Sequence, residues 1–573
     1  MRALFAKALQ TRDCGACVSS IEAAKGVAFT DQNSVLATVK SLCPTLKDTP
    51  LEVCNGLVNM YGPPLLDVIL KANVTGGDGI LICHSIGAKK CSTPATIPGT
   101  ITFPKPRPAN PVVPAPSGNL VDVLHLSDWH VDELYNTSCR ASSTPSTSVN
   151  STAASWGDYN CDTPVKLTLD LLQYIPKVVN AQFAIMTGDV PPHDTWRETN
   201  ITVVPIEEHA YENMAKALPI KVYPTVGNHE TGPASLFPTQ YSGGNDSSLY
   251  ASLADDWSRW LPADAVNTVK NYGAYTVSPS TGFRIVSLNT NFCLSENFYL
   301  YANTSDYDPF GELNWLVTQL QAAEDAGERV WIMGHVPPSL ADCLQNWSAL
   351  YYQAVQRYSP HVIAEQFFGH THIDEFALYY GPGNKTAQNA IATSWIGPSV
   401  TPYKKLNPGF RVYKVDSKSW NVFDSETYIA NLNLALSWDA SGSTPNWHLE
   451  YSARQAYGVF APIADDAPLS ASWWHEVTAA METNNTAFQE FWTYRGKSAD
   501  LFGECAADSP CQTQIICNLR AGMSSETCKS LKAKKQKRSE TENASKPLDQ
   551  RSLFQNDDSA PWDQKMCGRL FGP

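Results

Sequence analysis

Short apolar stretches alternate with amphipathic ones along the middle of the chain. Five of the apolar stretches have the length and the Val, Ile, Leu and Phe content of buried strands, and they cover 120–126, 183–186, 220–226, 330–333 and 362–368. Helix-like stretches at 164–179 and 206–217 separate the first three. This alternation predicts an α/β organisation. Two further stretches, 410–415 and 420–423, are predicted to be strands that close a second sheet.

Each of the five predicted strands is followed by polar residues that a purely structural strand would not need. They are Asp128 and His130, Asp189, Asn228 and His229, His335, and His370 and His372. Ligands of α/β sheets gather at the carboxyl ends of strands, so we expect these side chains to lie close together. Together with His193, these motifs hold six of the twelve histidines. We interpret His125, His209 and His361 as ordinary structural or surface residues.

Asp, Asn and His side chains without Cys suit Zn²⁺ or a similar divalent ion. One carboxylate can bridge two ions, and such a pair activates a water and clamps a phosphoryl group. Asp189 is the natural bridge, because Gly188 lets the backbone turn tightly beside it.

The chain ends differ in composition from this central part. Residues 10–92 hold six cysteines among amphipathic segments, which predicts a small helical domain stapled by disulfides, and 93–119 form a Pro-rich, semi-rigid linker. The spacing alone leaves fifteen pairings open. We expect a catalytic domain over 120–440, with a Ser/Thr-rich loop that a Cys139–Cys161 disulfide could close.

A Trp- and Tyr-rich stretch, 441–530, predicts a helical C-terminal subdomain with two disulfides among Cys505, Cys511, Cys517 and Cys528. Residues 531–573 form a polar tail. Its basic run, 532–538, is more typical of a solvated or processed segment than of a binding patch. Cys567 is left as a candidate free thiol.

The compartment is predicted from cysteines and glycosylation triplets. The chain has 15 cysteines and ten Asn-x-Ser/Thr triplets, at Asn73, Asn136, Asn150, Asn200, Asn245, Asn303, Asn346, Asn384, Asn484 and Asn543. We therefore expect a secreted protein or one of the lysosomal or vacuolar lumen, although no signal peptide is evident at the start. A net charge of −14 argues against nucleic acid as a partner. No apolar run is long enough for a membrane span, and we expect a monomer.

The five motifs in this order resemble those of calcineurin-like metallophosphoesterases. Three segments narrow the resemblance to the acid sphingomyelinase family: Gly188-Asp-Val-Pro-Pro-His-Asp-Thr-Trp196, Tyr223-Pro-Thr-Val-Gly-Asn-His-Glu230 and Gln366-Phe-Phe-Gly-His-Thr-His-Ile-Asp-Glu375. Leu288-Asn-Thr-Asn-Phe-Cys293 is similar as well, and the cysteine spacing of residues 14–91 resembles the saposin-like family.

The resemblance implies an α/β fold in which a calcineurin-like β-sandwich is flanked by helices, with an all-α saposin-like domain before it. It implies the disulfides Cys14–Cys91, Cys17–Cys83 and Cys43–Cys54. It also implies two zinc ions and two catalytic histidines, His193 and His229. The first ion would be held by Asp128, His130, Asp189 and His372, and the second by Asp189, Asn228, His335 and His370.

The implied reaction is hydrolysis of a sphingomyelin-type phospholipid to ceramide and phosphocholine by a water that two zinc ions activate. The helical domain would serve lipid binding or membrane docking, or it could be only a stabilising cap. We expect His193 and His229 to protonate the leaving group, since an unperturbed imidazole titrates near pH 6.5.

Three other readings remain open. A metallophosphoesterase could act on a soluble phosphodiester such as a nucleotide derivative, but it would have no use for a lipid-handling module. A purple acid phosphatase would need a Tyr ligand just after Gly188-Asp189, where Val190, Pro191 and Pro192 stand. A lipid-binding protein with a decayed site is disfavoured, because every motif keeps its metal-binding residue types.

Overall fold

The computed structural model describes residues 3, 6, 13–46, 49–86, 91, 99–136, 153–242 and 246–528. Within these residues, a helical N-terminal part precedes a two-sheet sandwich, and a second helical part follows it.

Four helices form the N-terminal part: α1 (Cys14–Ala28), α2 (Gln32–Lys40), α3 (Leu51–Lys71) and α4 (Gly77–Ser85). The carboxylates of Asp13 and Asp31 accept hydrogen bonds from backbone amides in the first turns of α1 and α2, as good N-caps do. Small and aliphatic side chains of all four helices share one buried cluster. The disulfides that the resemblance implied are confirmed: Cys14–Cys91, Cys17–Cys83 and Cys43–Cys54.

The central part is built on fourteen strands among the described residues. They are β1 (Leu120–Leu126), β2 (Val131–Asp132), β3 (Thr163–Pro164), β4 (Ala181–Met186), β5 (Lys221–Pro224), β6 (Tyr275–Ser280), β7 (Phe283–Ser287), β8 (Arg329–Met333), β9 (Ile363–Phe368), β10 (Glu375–Tyr380), β11 (Ala390–Ile396), β12 (Gly409–Asp416), β13 (Val422–Ala430) and β14 (Trp447–Ser452). One six-stranded sheet has the order β14-β13-β12-β1-β4-β5 and the other has the order β10-β11-β9-β8-β7-β6. The short β2 and β3 pair only with each other.

The two sheets pack face to face through aromatic side chains. The ring of Phe183 on β4 lies 5.7 Å from that of Trp331 on β8, and Tyr413 on β12 lies 5.0 Å from Phe367 on β9. The inner strands of both sheets run in parallel, with β1 beside β4 and β8 beside β9. The structure therefore has the α/β organisation that the alternation predicts and the β-sandwich that the resemblance implies.

Helices connect and flank the sheets: α5 (Val165–Val178), α6 (Asn200–Ala217), α7 (Ser247–Trp257), α8 (Ala263–Tyr272), α9 (Glu312–Ala326) and α10 (Gln345–Tyr358). Leu313 and Leu316 of α9 and Tyr351 of α10 pack in one buried cluster with Val330 and Ile332 of β8. These two helices therefore cover the second sheet.

The strand prediction was wrong in one respect. The stretches at 410–415 and 420–423 do not close a second sheet; they lie in β12 and at the start of β13, within the same sheet as β1 and β4. β12 runs antiparallel to β1, with Tyr413 opposite Val123 and Arg411 opposite His125. The polar residues at the strand ends could not show which sheet each strand belongs to. The five motif strands are divided between two sheets, and the ends of both sheets meet at the same edge of the sandwich.

The C-terminal helices are α11 (Ala435–Ser441), α12 (Ala453–Gly458), α13 (Ala471–Thr483), α14 (Asn485–Arg495) and α15 (Pro510–Leu519). Disulfides join Cys505 to Cys511 and Cys517 to Cys528, as predicted for this segment. A further disulfide, Cys293–Cys343, was not predicted and joins two loops of the central part.

Several predictions fall outside the described residues: Cys139, most of the Ser/Thr-rich loop, the basic run at 532–538 and Cys567. Among the helices that the structure describes, none combines the length and the apolar character needed to cross a membrane.

Candidate metal centre

The polar residues at the ends of the five motif strands meet at one edge of the sandwich. β1, β4 and β5 bring three motifs from the first sheet, and β8 and β9 bring two from the second. All seven predicted metal-binding side chains are almost completely removed from solvent: Asp128, His130, Asp189, Asn228, His335, His370 and His372. Burying this many polar and charged side chains is unfavourable unless hydrogen bonds, protons or cations make up for the lost solvation.

The loops that carry these side chains turn unusually sharply. Asp128, His130, Asp189, His370 and His372 have φ between +43° and +73°, a region that non-glycine residues rarely occupy. Such backbone conformations cost about 1–3 kcal/mol each and cluster at functional sites. Glycines make room beside them, since a Cβ on Gly369 would lie 2.1 Å from the Ser127 hydroxyl oxygen and 2.7 Å from Asp128 Oδ2.

One half of the centre contains His130, His372 and Asp128. The two Nε2 atoms of His130 and His372 are 3.1 Å apart. His372 Nε2 lies 3.6 Å from Asp128 Oδ1. The backbone amide of His370 also donates to Asp128 Oδ1, at 2.9 Å, which ties the β1 loop to the β9 loop.

The other half contains His335, His370 and Asn228. The amide oxygen of Asn228 lies 3.0 Å from His335 Nε2 and 2.9 Å from His370 Nδ1. The two histidine nitrogens are themselves 3.3 Å apart. An oxygen and two nitrogens thus converge within one small volume.

Asp189 lies between the halves. Its Oδ2 is 3.4 Å from His130 Nε2 and 3.0 Å from His335 Nε2, whereas its Oδ1 accepts a hydrogen bond of 2.9 Å from the backbone amide of His229. Glu230 fixes the backbone here, because its carboxylate accepts from the amides of Asp189 and Val190 at 3.1 and 2.8 Å.

The position of the proton on each histidine ring indicates whether these side chains could bind cations. His130 Nδ1 lies 2.8 Å from the carbonyl oxygen of Pro191, and His335 Nδ1 lies 2.6 Å from that of Thr187. A carbonyl only accepts, so both Nδ1 atoms carry a proton, and in the neutral form of either ring Nε2 would point a lone pair at Asp189 Oδ2. A lone pair facing a carboxylate oxygen is repulsive unless a proton or a cation lies between them.

The protonation of His335 shows the same need for positive charge. Burial acts to lower its pKa, but the charge and hydrogen bond of Asp189, together with the charges of Asp128 and Glu230, outweigh burial and raise the pKa to about 9. Burial likewise raises the pKa of Asp128 to about 6. The residues therefore fit divalent cations, which would replace these protons. Around Asp189 there are also sets of His and Asp side chains whose nitrogen and oxygen atoms lie close enough together to share an ion.

The two predicted catalytic histidines lie beside this centre. The ring of His193 is 3.8 Å from that of His130 and 4.6 Å from that of His229. His229 Nδ1 lies 3.0 Å from the carbonyl oxygen of Pro192. Both rings are also close enough to His130 to belong to possible ligand groups.

His193 is oriented by a carboxylate that the sequence analysis did not identify. Its Nδ1 lies 2.7 Å from Asp162 Oδ1, and its backbone amide donates to Asp162 Oδ2 at 2.7 Å. The buried Nε2 of His193 has no hydrogen-bond partner among the described residues. That nitrogen is therefore the atom of His193 that can meet a ligand.

The acidities of these histidines differ from the expectation for an unperturbed imidazole. Burial, reinforced by the charge of Lys404, lowers the pKa of His193 to about 3. Burial also lowers the pKa of His229 to about 4. In the ligand-free protein both rings are thus neutral at mildly acidic pH, and a bound anion would be needed to hold the added proton.

The residues that sequence reasoning missed include Asp162, Glu230, Lys404 and Lys497. Glu230 directly follows the Asn-His pair, so its position was a usable signal. Lys497 comes from the C-terminal part, more than a hundred residues from the last motif, and donates to the carbonyl and hydroxyl oxygens of Ser399 at 2.8 and 2.7 Å. Ser399 in turn donates its backbone amide to the carbonyl of His372, at 3.2 Å. No local pattern marks Lys497.

The N-terminal helices contact the loop that carries His193. Gly56 of α3 approaches Trp196 so closely that a Cβ on Gly56 would lie 2.4 Å from the Trp196 carbonyl oxygen. Leu236, Phe298 and Tyr301 of the central part belong to the same buried cluster as the core of the four helices.

Comparison with known proteins agrees with this geometry. The family model described as calcineurin-like phosphoesterase matches residues 121–374, and the model of the acid sphingomyelin phosphodiesterase C-terminal region matches residues 389–536. The first match confirms the calcineurin-like fold that the sequence motifs indicated.

Three relatives are similar over most of the chain. The sphingomyelin phosphodiesterase of Bos taurus is 36% identical over 502 residues, which cover 83% of this chain and 76% of the relative. That of Homo sapiens is 36% identical over 496 residues, with 83% and 75% covered. Sphingomyelin phosphodiesterase B of Dictyostelium discoideum is 35% identical over 452 residues, with 74% and 68% covered. With buried Asp, Asn or His side chains at every motif and similarity of this extent, the chain belongs to the sphingomyelin phosphodiesterase family of calcineurin-like phosphoesterases.

Proposed function

We propose that the chain hydrolyses the phosphodiester bond of a sphingomyelin-type phospholipid and releases ceramide and phosphocholine. The names of the relatives support the substrate class. The observation that carries the chemistry is the placement of Asp189 Oδ2 between His130 Nε2 and His335 Nε2, at 3.4 and 3.0 Å. A shared carboxylate between two nitrogen-rich halves is the arrangement that phosphoryl-transfer enzymes use to hold two cations.

The cations proposed are two zinc ions, because His nitrogens and Asp and Asn oxygens suit Zn²⁺. Asp128, His130, Asp189 and His372 would hold one, and Asp189, Asn228, His335 and His370 the other. When bound, such a pair supplies an activated water and neutralises charge on the phosphoryl group.

His193 and His229 are proposed to hold and deliver the proton that the leaving ceramide oxygen needs. Asp162 fixes the ring of His193 through Nδ1 and leaves Nε2 as the atom that faces the substrate. The negative charge of a bound phosphodiester would raise the pKa of both rings above the values of the ligand-free protein, which burial lowers. The proton would therefore be acquired together with the substrate.

The four N-terminal helices are proposed to serve access to lipid at membrane or vesicle surfaces. Phe29 and Leu51 are large apolar side chains of this part that are 67% and 52% exposed. The N-terminal helices also pack beside Trp196, which follows His193 by three residues in the sequence. A lipid held by these helices would be delivered next to the proposed catalytic loop.

We further propose the division of the chain into residues 10–92, 93–119, 120–440, 441–530 and 531–573. The disulfides favour a secreted protein or one of the lysosomal or vacuolar lumen. Glycans would be carried by exposed acceptors such as Asn73, Asn136 and Asn384. A monomer is proposed.

The test compares two substrates under metal control. Purified protein, stripped by a chelator and reloaded with Zn²⁺, would be assayed on vesicles that contain sphingomyelin and on a soluble choline phosphodiester. Phosphocholine release from vesicles that depends on Zn²⁺ is expected. Turnover confined to soluble diesters such as nucleotide derivatives would reject the lipid substrate, and vesicle binding without any hydrolysis would reject the enzyme.

A further inference from the structure

His125 is a polar residue in the middle of the sandwich core. It lies on β1, is fully buried, and its ring packs 6.0 Å from Phe367 of the opposite sheet and 5.8 Å from Tyr413 of the neighbouring strand. A Cβ on Gly397 would lie 2.5 Å from the ring, so the surroundings are fitted to an imidazole. A buried imidazole needs a hydrogen-bond partner for each nitrogen.

Both nitrogens have partners, and together they form a chain that ends at Asp128. His125 Nδ1 lies 3.1 Å from the hydroxyl of Tyr413, and Nε2 lies 2.9 Å from the hydroxyl of Thr187. The Thr187 hydroxyl is 2.6 Å from that of Ser127, which donates to Asp128 Oδ2. Every member except Tyr413 lies within the loops or strands that lead to the metal centre.

The donor and acceptor properties of these side chains allow only one direction for the hydrogen bonds along this chain. A carboxylate only accepts, so Ser127 uses its proton on Asp128 and must accept from Thr187. Thr187 has then used its own proton and accepts from His125 Nε2–H. Burial and the charge of Arg411 lower the pKa of His125 well below its usual value, so the ring is neutral and Nδ1 accepts from Tyr413.

The chain leaves one particular oxygen of Asp128 for the metal centre. Oδ2 accepts from Ser127, whereas Oδ1 accepts from the His370 amide at 2.9 Å and faces His372 Nε2 at 3.6 Å. Thr187 also contacts the other half, because its carbonyl accepts from His335 Nδ1. The rotation of the carboxylate is fixed by the Ser127 hydroxyl on Oδ2 and by the His370 amide on Oδ1, and the hydrogen-bond chain orients the first of these donors.

We propose that His125 is a positioning residue of the metal centre, acting through Thr187 and Ser127 to orient Asp128 and to present its Oδ1 to the cation. The inference rests on the proposed role of Asp128 as a ligand. His125 is thus more than the ordinary structural residue that its place in a strand predicts.

The experiment measures zinc affinity rather than activity. The full-length protein would be titrated against a chelator of known affinity, its zinc content followed by atomic emission and its folding checked by thermal melting. The informative variants are Thr187→Val, which removes the hydroxyl at nearly constant shape, Thr187→Ser, which retains it, and His125→Phe. Tyr358→Phe is the matched control, since its hydroxyl donates to Gln321 in a buried site on α10 away from the centre.

Loss of an outer partner typically weakens metal binding by about 10–100-fold. We expect that loss for one of the two zinc ions in Thr187→Val and in His125→Phe, and affinity within about threefold of the parent in Thr187→Ser and Tyr358→Phe. Either substitution alone breaks the hydrogen-bond chain. The double variant His125→Phe/Thr187→Val should therefore bind zinc no more weakly than Thr187→Val alone.

Parental zinc affinity in folded Thr187→Val would overturn the inference, as would additive losses in the double variant. Asp128→Asn separates this failure from failure of the proposed site. If Asp128→Asn loses zinc while Thr187→Val does not, only the positioning role is wrong; if Asp128→Asn binds both ions normally, the ligand assignment and the inference fall together. Should His125→Phe not fold, the pair Thr187→Val and Thr187→Ser decides.

Discussion

Asp189 Oδ2 and His335 Nε2 are 3.0 Å apart, both side chains are almost completely buried, and the opposite ring nitrogen of His335 donates to a backbone carbonyl. The imidazole therefore cannot turn to relieve the contact with the carboxylate. Burial acts to raise the pKa of Asp189, but the charge of His335 and the hydrogen bonds from His335 and the His229 amide contribute to holding it below its usual range. The position is built for a charged carboxylate with a positive partner.

The first prediction is that Asp189→Asn removes most of the bound metal. An amide supplies no charge, and its NH₂ group would face the nitrogens of His130 or His335. We expect zinc content to fall from two ions to less than one and activity to fall by about 10²–10³-fold or more. Asp325→Asn is the matched control, because its carboxylate pairs with Lys105 on an exposed part of the surface. Two tightly bound ions in folded Asp189→Asn would contradict the bridging role.

The second prediction concerns the two histidines beside the centre. His193→Ala and His229→Ala should keep both ions yet lose about 10²–10⁴-fold in turnover of the natural diester, the range of general acid catalysis. The loss should shrink for a diester with a nitrophenol leaving group, which needs less protonation. An equal loss on both substrates would show that the histidine concerned is not the acid.

Asp162 offers a finer test of the same idea. Asp162→Asn keeps an acceptor for His193 Nδ1–H but removes the charge that would stabilise an imidazolium. The variant should retain its zinc and its turnover of the nitrophenyl diester within a few-fold, and lose more than about tenfold on the natural substrate. A uniform loss would indicate that Asp162 only supports the loop.

Much of this site follows from the sequence because each motif lies directly after a strand. Asp128, His335 and His370 could be predicted to meet, since strand ends of an α/β sheet share an edge. Asp162 could not, because it precedes the short β3, 31 residues before His193, and belongs to none of the five strand-end motifs. Lys497 could not either, because it reaches Ser399 from a helical part that only the folded chain brings close.

His125 shows a different limit of sequence reasoning. A lone histidine in an apolar strand is usually structural, and the last four residues of β1 are all buried, so its pattern does not distinguish His125 from its neighbours. Its role depends on Tyr413 being the neighbour on an antiparallel strand nearly three hundred residues away. Because the sequence analysis placed residues 410–415 in a second sheet, it did not predict that Tyr413 lies next to His125.

The third prediction tests the lipid-handling surface without deleting the N-terminal helices. Deletion would also uncover Leu236, Phe298 and Tyr301, so a loss of fold would confuse the result. We expect Phe29→Ser together with Leu51→Ser to lower hydrolysis of sphingomyelin vesicles at least several-fold and to leave a soluble choline diester unaffected. The matched control is Val459→Ser, an exposed apolar residue of the C-terminal part, which should change neither. Equal vesicle activity in all three proteins would show that these side chains do not engage lipid.

The fourth prediction is a dependence of stability on pH that comes from a carboxyl far from the metal centre. Glu365 on β9 is buried, accepts hydrogen bonds from Trp395 Nε1 at 2.7 Å and from the Val422 amide at 2.9 Å, and belongs to the packing between the sheets. Burial raises its pKa to about 7 from an ordinary 4.5. Between these two pH values the folded state holds a proton that the unfolded state has released, so the free energy of unfolding falls as pH rises from about 4.5 to about 7.

A shift of this size corresponds to a change on the order of 3 kcal/mol across that window. Glu365→Gln cannot titrate, so its apparent melting temperature should change less between pH 4.5 and pH 7 than that of the parent, even if the amide is less stable at every pH. Glu208→Gln, at an exposed position, is the control and should keep the parental dependence. Melting would be followed with zinc in excess, so that metal release at low pH does not contribute. If Glu365→Gln and the parent show parallel melting curves against pH, Glu365 keeps its charge in the folded protein and the two N–H donors outweigh the effect of burial.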